Sequence, residues 1–328
     1  KKPDQKSNKK GAGESLHLMR VAFFGSPAVA LPALNSLIQA GHEIKLVITQ
    51  PDRPAGRGKK LTPPPVKVFA RDHGLPCLQP EKIRRDEQVL EALKQADPEV
   101  NVVVAYGQII PASIIYLPPF KTLNVHFSLL PKYRGAAPVQ WAILNGERVT
   151  GVTIIELNEK MDEGPILAQR EVEILPGETA QELEIRLSYL GAQLLINTLA
   201  KINEVERIEQ NPALATYAPR LTKEHGKINW QEPARVIDLK VRALFPWPGA
   251  FCFLEGKKLD ILTGQPISGL FPGSSPGEIV QIDRAGIYVA CGQNTAYLIE
   301  KIKPESKKEM PAYAFSLSRK IKIGTRLS

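Results

Sequence analysis

The chain has 328 residues, with 43 Lys+Arg against 34 Asp+Glu for a net charge of +9. At roughly 100–200 residues per domain, that length predicts about two domains, each large enough for its own core. The 43% hydrophobic and 23% charged fractions exclude a wholly disordered chain, and no apolar run nears the ~18 residues of a membrane span.

Residues 1–18 are Lys-rich, carry +3 and show no apolar periodicity. They read as a disordered tail, a cloning remnant or an upstream extension, without the hydrophobic stretch of a secretory signal. Arg20–Phe24 reads as a buried strand. Gly25-Ser26-Pro27 turns the chain, with Ser26 as helix N-cap and Pro27 at the first helical position. A helix follows through Leu31, Leu34, Leu37 and Ile38 and ends at Gly41; Ile44–Thr49 is the next strand. A Pro/Gly/basic loop fills 50–65, and its glycines and prolines argue against regular structure.

Val66–His73 is predicted helical, Cys77–Leu78 a short strand, Asp86–Gln95 a helix, and Val100–Ala105 and Leu123–His126 strands. A helix over Ala136–Leu144 comes next. Gly151–Leu157 and Ile166–Ile174 pair around Met161-Asp162-Glu163-Gly164, and Glu178–Ala200 is a long amphipathic helix. Strands separated by helices imply an α/β, doubly wound, mostly parallel sheet over residues 19–205. Periodicity fades near Asn211-Pro212, which makes 206–222 a linker. Over 223–328 a short helix precedes closely spaced strands, the pattern of a small β-barrel.

Residues 19–222 are neutral overall, whereas 223–328 carry +6. A neutral body with a basic appendage suits an enzyme that grips a polyanion; charge alone fits a solvated basic surface equally. The cysteines Cys77, Cys252 and Cys291 are odd in number, scattered and free of CxxC spacing. That points to a reducing, cytoplasmic compartment. The five histidines form no ligand cluster, so no metal site is expected.

The turn after the first strand is not GxGxxG, and no GxxxxGK[ST] occurs, which disfavours a dinucleotide site or P-loop. The densest polar cluster is Asn124-Val125-His126-Phe127-Ser128-Leu129-Leu130-Pro131. Strand alternation puts Asn124 and His126 on one face and Val125 and Phe127 on the other. An amide donor and an imidazole at a strand's carboxyl end suit acyl transfer: Asn stabilises an oxyanion and His moves a proton. The pair also fits polar residues that merely satisfy a strand end.

Ser128 lacks a GxSxG elbow, and an amine acceptor needs no covalent nucleophile. Asp162 on its own fits an ordinary Asx turn. Packed beside Asn124 and His126, it becomes the carboxylate that sets the histidine's charge state. In the loop, residues 52–60 hold four cations, Arg53, Arg57, Lys59 and Lys60, against Asp52. Such a loop fits phosphate gripping, or simple solvation.

Together VAFFGSP, TQPDRPAGRGKKL, VVVAYGQIIP, LNVHFSLLPKYRGAAPVQWAIL, MDEGPIL and FPWPGA resemble the methionyl-tRNA formyltransferases, over nearly everything after Met19. The Asn-x-His-x-Ser-Leu-Leu-Pro…Asp set is shared more widely by 10-formyltetrahydrofolate-dependent formyltransferases. The resemblance implies a Rossmann-like catalytic domain and an OB-like tRNA-binding barrel. It implies Asn124, His126 and Asp162 as catalytic, Ser128, Leu129, Leu130 and Pro131 as folate-binding, and Arg53, Arg57, Lys59 and Lys60 as tRNA-binding. The implied substrates are 10-formyltetrahydrofolate and initiator methionyl-tRNA, with no metal and no membrane partner; a monomer is expected. Phe127 stands where many relatives carry a smaller residue, so altered packing is expected there. A small-molecule formyltransferase acting on a purine precursor or amino sugar is the rival enzyme reading. A catalytically inert tRNA-binding protein is the rival of another class.

Overall fold

The computed structural model describes residues 17–55, 58, 60–268 and 273–328. The tail predicted over 1–18 lies almost wholly outside these residues, and so do Arg57 and Lys59.

The first half alternates as predicted. Its strands are β1 (Arg20–Gly25), β2 (Glu43–Ile48), β3 (Arg53–Ala55), β4 (Lys60–Thr62), β5 (Cys77–Leu78), β6 (Val100–Val104), β7 (Thr122–His126), β8 (Arg134–Gly135), β9 (Val149–Glu156), β10 (Ile166–Glu173) and β11 (Tyr217–Ala218). Its helices are α1 (Leu31–Gln39), α2 (Pro65–Asp72), α3 (Glu87–Ala96), α4 (Ala112–Ile115), α5 (Pro138–Leu144) and α6 (Ala180–Ala200). Seven strands form one sheet in the order β10-β9-β7-β6-β1-β2-β5. The β5-β2-β1-β6-β7 run is parallel, and β9 is antiparallel to both β7 and β10.

Alternation along β1 explains the two-sided core. Val21 and Phe23 join Leu34 and Leu37 of α1 and Leu187 of α6 on one face. Ala22 and Phe24 join Val89 and Leu93 of α3 and Ile114 of α4 on the other. Each such fully enclosed Leu or Phe contributes on the order of 1.5–3 kcal/mol. Phe127 packs on the α6 side, where a Cβ on Gly191 would stand 2.7 Å from Val125 Cγ1 and 3.6 Å from Phe127 Cε1. The approach to Val125 is what calls for glycine there, since 3.6 Å to Phe127 is ordinary van der Waals contact.

Two expectations change. Ser26 does not cap α1, because a 3₁₀ turn at Ala28–Ala30 intervenes and the Ser26 hydroxyl accepts the Gln50 N–H instead. The loop at 50–65 contains regular structure: β3 and β4 pair as a two-stranded antiparallel ribbon, with Arg53 opposite Thr62.

The second domain carries α7 (Ala234–Leu244), β12 (Ala250–Leu254), β13 (Lys257–Ile267), β14 (Ile279–Asp283), β15 (Gly286–Cys291), β16 (Thr295–Pro304), β17 (Met310–Pro311) and α8 (Ala312–Arg319). The sheet order is β12-β13-β16-β15-β14, with β17 on β16. Residues near 325–328 bridge its two open edges. Ile279 N–H donates to Thr325 O at one edge, and Phe253 and Ser328 exchange hydrogen bonds at the other. Edge strands left bare would expose a row of unpaired backbone groups. Among the described residues no helix is long and apolar enough to cross a membrane.

Candidate active site

The sheet's topology reverses between β1 and β6, and a crevice at the carboxyl ends of the strands is the expected ligand site of such folds. Gln50, just past β2, ties this edge together by donating through Nε2 to the Tyr106 carbonyl beyond β6. At the same edge β7 ends with Asn124 half-buried and His126 at 6% exposure. Leu123, Val125 and Phe127 point into the α6-side core, so Asn124 and His126 share the opposite face, as their spacing predicts.

The ring of His126 is held on both sides. Nε2 donates to the Tyr133 carbonyl at 2.9 Å. Nδ1 faces Asp162 Oδ2 at 3.8 Å, beyond hydrogen-bond reach. That oxygen accepts the Gly135 N–H at 2.8 Å. With Nε2 committed as a donor, Nδ1 is the ring nitrogen free to take up a proton.

Three left-handed backbone positions surround this contact: Tyr133 at φ +62°, Gly135 at φ +120° and Asp162 at φ +52°. At the two non-glycine positions, Tyr133 and Asp162, strain of this kind costs on the order of 1–3 kcal/mol each and persists only where neighbours enforce it. The neighbours here are explicit. The Tyr133 hydroxyl donates to Glu147 and accepts from Asn145, and burial pushes its pKa up to about 12, so it stays protonated. At Gly135 a Cβ would stand 2.7 Å from the Ala218 carbonyl oxygen. At Gly164, two residues past Asp162, a Cβ would come within 1.8 Å of the Glu156 carbonyl oxygen, so that position tolerates no side chain.

The turn at 128–131 is built from inside. Ser128 is fully buried and donates to the Lys132 carbonyl, so its hydroxyl is not a free nucleophile. Thr153 Oγ1 donates to Ser128 O and accepts from Leu130 N, and Gln169 Nε2 donates to Leu130 O. Leu130 is buried, whereas Leu129 and Pro131 remain half-buried. Of the loop cations, Arg53 is exposed and pairs with exposed Glu81 at 3.1 Å, and Lys60 is exposed. Arg57 and Lys59 lie outside the described residues.

Several residues of this site escaped the sequence reading. Arg134, 3% exposed, donates through Nε and Nη2 to Gln210 Oε1 and pairs through Nη1 with Glu163. Gln210 Nε2 donates to both Asp162 O and Gly164 O. The segment read as a linker therefore returns to the site. Ile208 bridges Ile166, Thr216 Oγ1 accepts the Tyr133 N–H, and β11 pairs with β8. Arg134-Gly135 was visible only as part of a motif, and Gln210 carried no signal. Among the described residues, no group of three or more His, Cys, Asp or Glu is placed to hold a metal ion.

The fold is that of a formyl-group transferase. The family described as "Formyl transferase" matches residues 19–199, and "Formyl transferase, C-terminal domain" matches 220–320. The methionyl-tRNA formyltransferase of Citrifermentans bemidjiense is 44% identical over 308 residues, covering 93% of this chain and 95% of its own. That of Geobacter sulfurreducens is 43% identical over 312 residues, covering 94% and 96%. The chain belongs to the methionyl-tRNA formyltransferase family.

Solved structures share the fold. One is the N-formyltransferase of Helicobacter canadensis in complex with folinic acid and dTDP-3-aminofucose, with TM-score 0.63, 19% identity, and coverage of 86% of this chain and 99% of that one. HypX of Aquifex aeolicus in complex with tetrahydrofolic acid gives TM-score 0.61 and 18% identity over 91% of this chain, which spans only 47% of HypX.

Proposed function

We propose that this chain transfers a formyl group from 10-formyltetrahydrofolate to the amino group of methionine on initiator methionyl-tRNA. The reading is supported by Asn124 and His126 on one face of β7, with Asp162 Oδ2 3.8 Å from His126 Nδ1, on a chain aligned almost end to end with relatives of that name. The groups present suit the donor: an amide, an imidazole and a carboxylate, with the one nearby serine hydroxyl already engaged.

The donor, when bound, supplies a formyl carbon to an attacking amine. Leu129 and Pro131 offer it apolar surface, and Ser128 and Leu130 shape the turn beneath. Asn124 Nδ2 donates to the oxygen that becomes negative as the amine adds. His126 Nδ1 takes the proton the amine loses, and Asp162 favours the imidazolium that results. Release of tetrahydrofolate completes the exchange once the carbon–nitrogen bond to it breaks and that nitrogen is protonated.

Arg53, Arg57, Lys59 and Lys60 grip the acceptor end of the tRNA, and the +6 barrel adds phosphate contacts. One chain carries the whole catalytic set, so a monomer suffices. The three unpaired thiols suit the cytoplasm.

The test is transfer from labelled donor, with charged initiator tRNA, an amino-sugar nucleotide and a purine-precursor amine as rival acceptors. N-formylmethionyl-tRNA is the expected product. Preference for either small amine replaces the reading with the rival one, and no transfer to any of them overturns it.

A further inference from the structure

Resting on the proposed formyl transfer, the geometry points to Gln210 and Arg134 as the positioning residues of the Asp162 carboxylate. They form a clamp in which Gln210 reaches the site from the segment joining the two domains and Arg134 meets it from β8.

Asp162 sits at φ +52°, in a turn between β9 and β10 whose side chains Met161 and Lys160 face solvent. Left to itself such a turn samples many conformers, because no side chain of Met161, Asp162 or Glu163 joins a hydrophobic core. Yet its carboxylate is only 15% exposed and stands at a fixed 3.8 Å from His126 Nδ1.

The contacts that fix it come from two sides. The carboxylate itself takes the Gly135 N–H at 2.8 Å. The turn's backbone is held by Gln210, whose one amide nitrogen spans the Asp162 and Gly164 carbonyls at 2.7 and 2.8 Å. An amide that donates twice needs its oxygen fixed as well. Arg134 fixes it with two N–H donors at 3.0 and 2.8 Å, leaving Nη1 for Glu163 of the same turn.

Arg134 lies next to Gly135 on β8, so one short strand holds the carboxylate by its backbone and the turn by its side chain. A lysine at 134 could not supply the planar fork that engages Gln210 and Glu163 together. A glutamate at 210 would face the two carbonyls with oxygen rather than N–H. The clamp touches no reacting atom.

Its expected signature is a loss of turnover with both substrate affinities kept, since a displacement of about 1 Å at a catalytic group can cost on the order of 10²-fold. Gln210→Ala and Arg134→Lys should each lower kcat about 10- to 100-fold, with KM for the folate donor and for the acceptor within about twofold of the parent. Gln210→Glu should do no better than Gln210→Ala.

The discriminating measurement is a cycle with Asp162→Asn, read in single turnovers. Once the carboxylate is gone, Gln210→Ala should add less than about threefold. The NMR titration of the His126 ring provides a second readout. It should move in the same direction in Gln210→Ala as in Asp162→Asn, with the protein still folded by thermal unfolding.

Parental kcat in folded Gln210→Ala, or an undiminished extra loss in the Asp162→Asn background, overturns the clamp. The cycle is run with whichever amine the parent formylates. Failure on tRNA alone therefore counts against the proposed function and leaves the clamp standing or falling on its own data.

Discussion

At the scale of single residues, the proposed mechanism separates groups that would touch the reaction from groups that would aim them. Asn124→Ala or His126→Ala is expected to lower turnover by about 10²–10³-fold, the usual cost of removing one preorganised donor. Near-parental rates in either folded variant, measured by labelled formyl transfer, would remove that residue from the mechanism. Gly135→Ala tests aiming. An alanine there must hold φ near +120° and put its Cβ 2.7 Å from the Ala218 oxygen, so β8 and its N–H must shift away from Asp162. The expected result is a stability loss of about 1–3 kcal/mol together with a turnover loss of about 10²-fold, read by thermal unfolding and kcat on the same preparation. A variant that loses stability but keeps its kcat would show that this N–H does not set the carboxylate. Asn124 and His126 were legible because a strand's period of two puts them on one face whatever the rest of the chain does. Asp162 was legible only conditionally, since its value depends on which strand its turn lies beside. Gln210 was not legible at all, because its two carbonyl partners lie 46 and 48 residues away and nothing local marks it.

At the scale of elements, local pattern predicted most of the catalytic domain, and it failed where structure depends on a distant partner. The β8–β11 pair is two residues long on each side and exists because one segment crosses the other. The β3–β4 ribbon was hidden by its composition, for Gly and Pro signal a turn without saying whether its arms pair. The base of that ribbon is anchored by Asp52, which accepts two hydrogen bonds from Lys67 Nζ, at 2.8 and 2.9 Å, and a third from Gln79 Nε2 at 2.8 Å. The Lys67 and Gln79 hydrogen bonds hold the Asp52 carboxyl below its ordinary pKa of 3.8. A carboxylate with a depressed folded-state pKa stabilises the anchored form above the unfolded value and loses that contribution as pH falls through the folded one. Protease cleavage within 53–62 should therefore be flat from about pH 5 to about pH 9 and should rise only in acid below about pH 4. Asp52→Asn should make cleavage fast at neutral pH and raise KM for tRNA while leaving KM for the folate donor unchanged. Equal cleavage of parent and variant at neutral pH would show that the ribbon is held by other contacts.

At the scale of the whole molecule, the two domains are not beads on a string. Helix α7 places Ile237 and Val241 in the barrel core but Ala243 and Leu244 in the core of the catalytic domain. Arg242 Nη1 also donates to the Glu178 carbonyl at the head of α6. A cut near residue 211 would strip β11 from β8 and bare Ala243 and Leu244, so it would injure the active site along with any RNA affinity. Charge removal asks the same question cleanly. Lys257, Arg319 and Lys322 are exposed and line a hollow of about 270 Å³ together with Lys258 and Lys320, against only Glu255 and Glu305. Phosphate contacts release counterions, so each one lost should lower the slope of log affinity against log salt by about 1. Lys257→Ala with Lys322→Ala should reduce the slope for charged tRNA by up to about 2 and leave folate KM and the unfolding temperature nearly unchanged, as surface substitutions do. An unchanged slope would mean that the barrel's positive charge meets RNA elsewhere or not at all. A changed slope with unchanged turnover at saturating tRNA would assign these lysines to capture of the substrate, and would leave chemistry to the site 124–162 in the other domain.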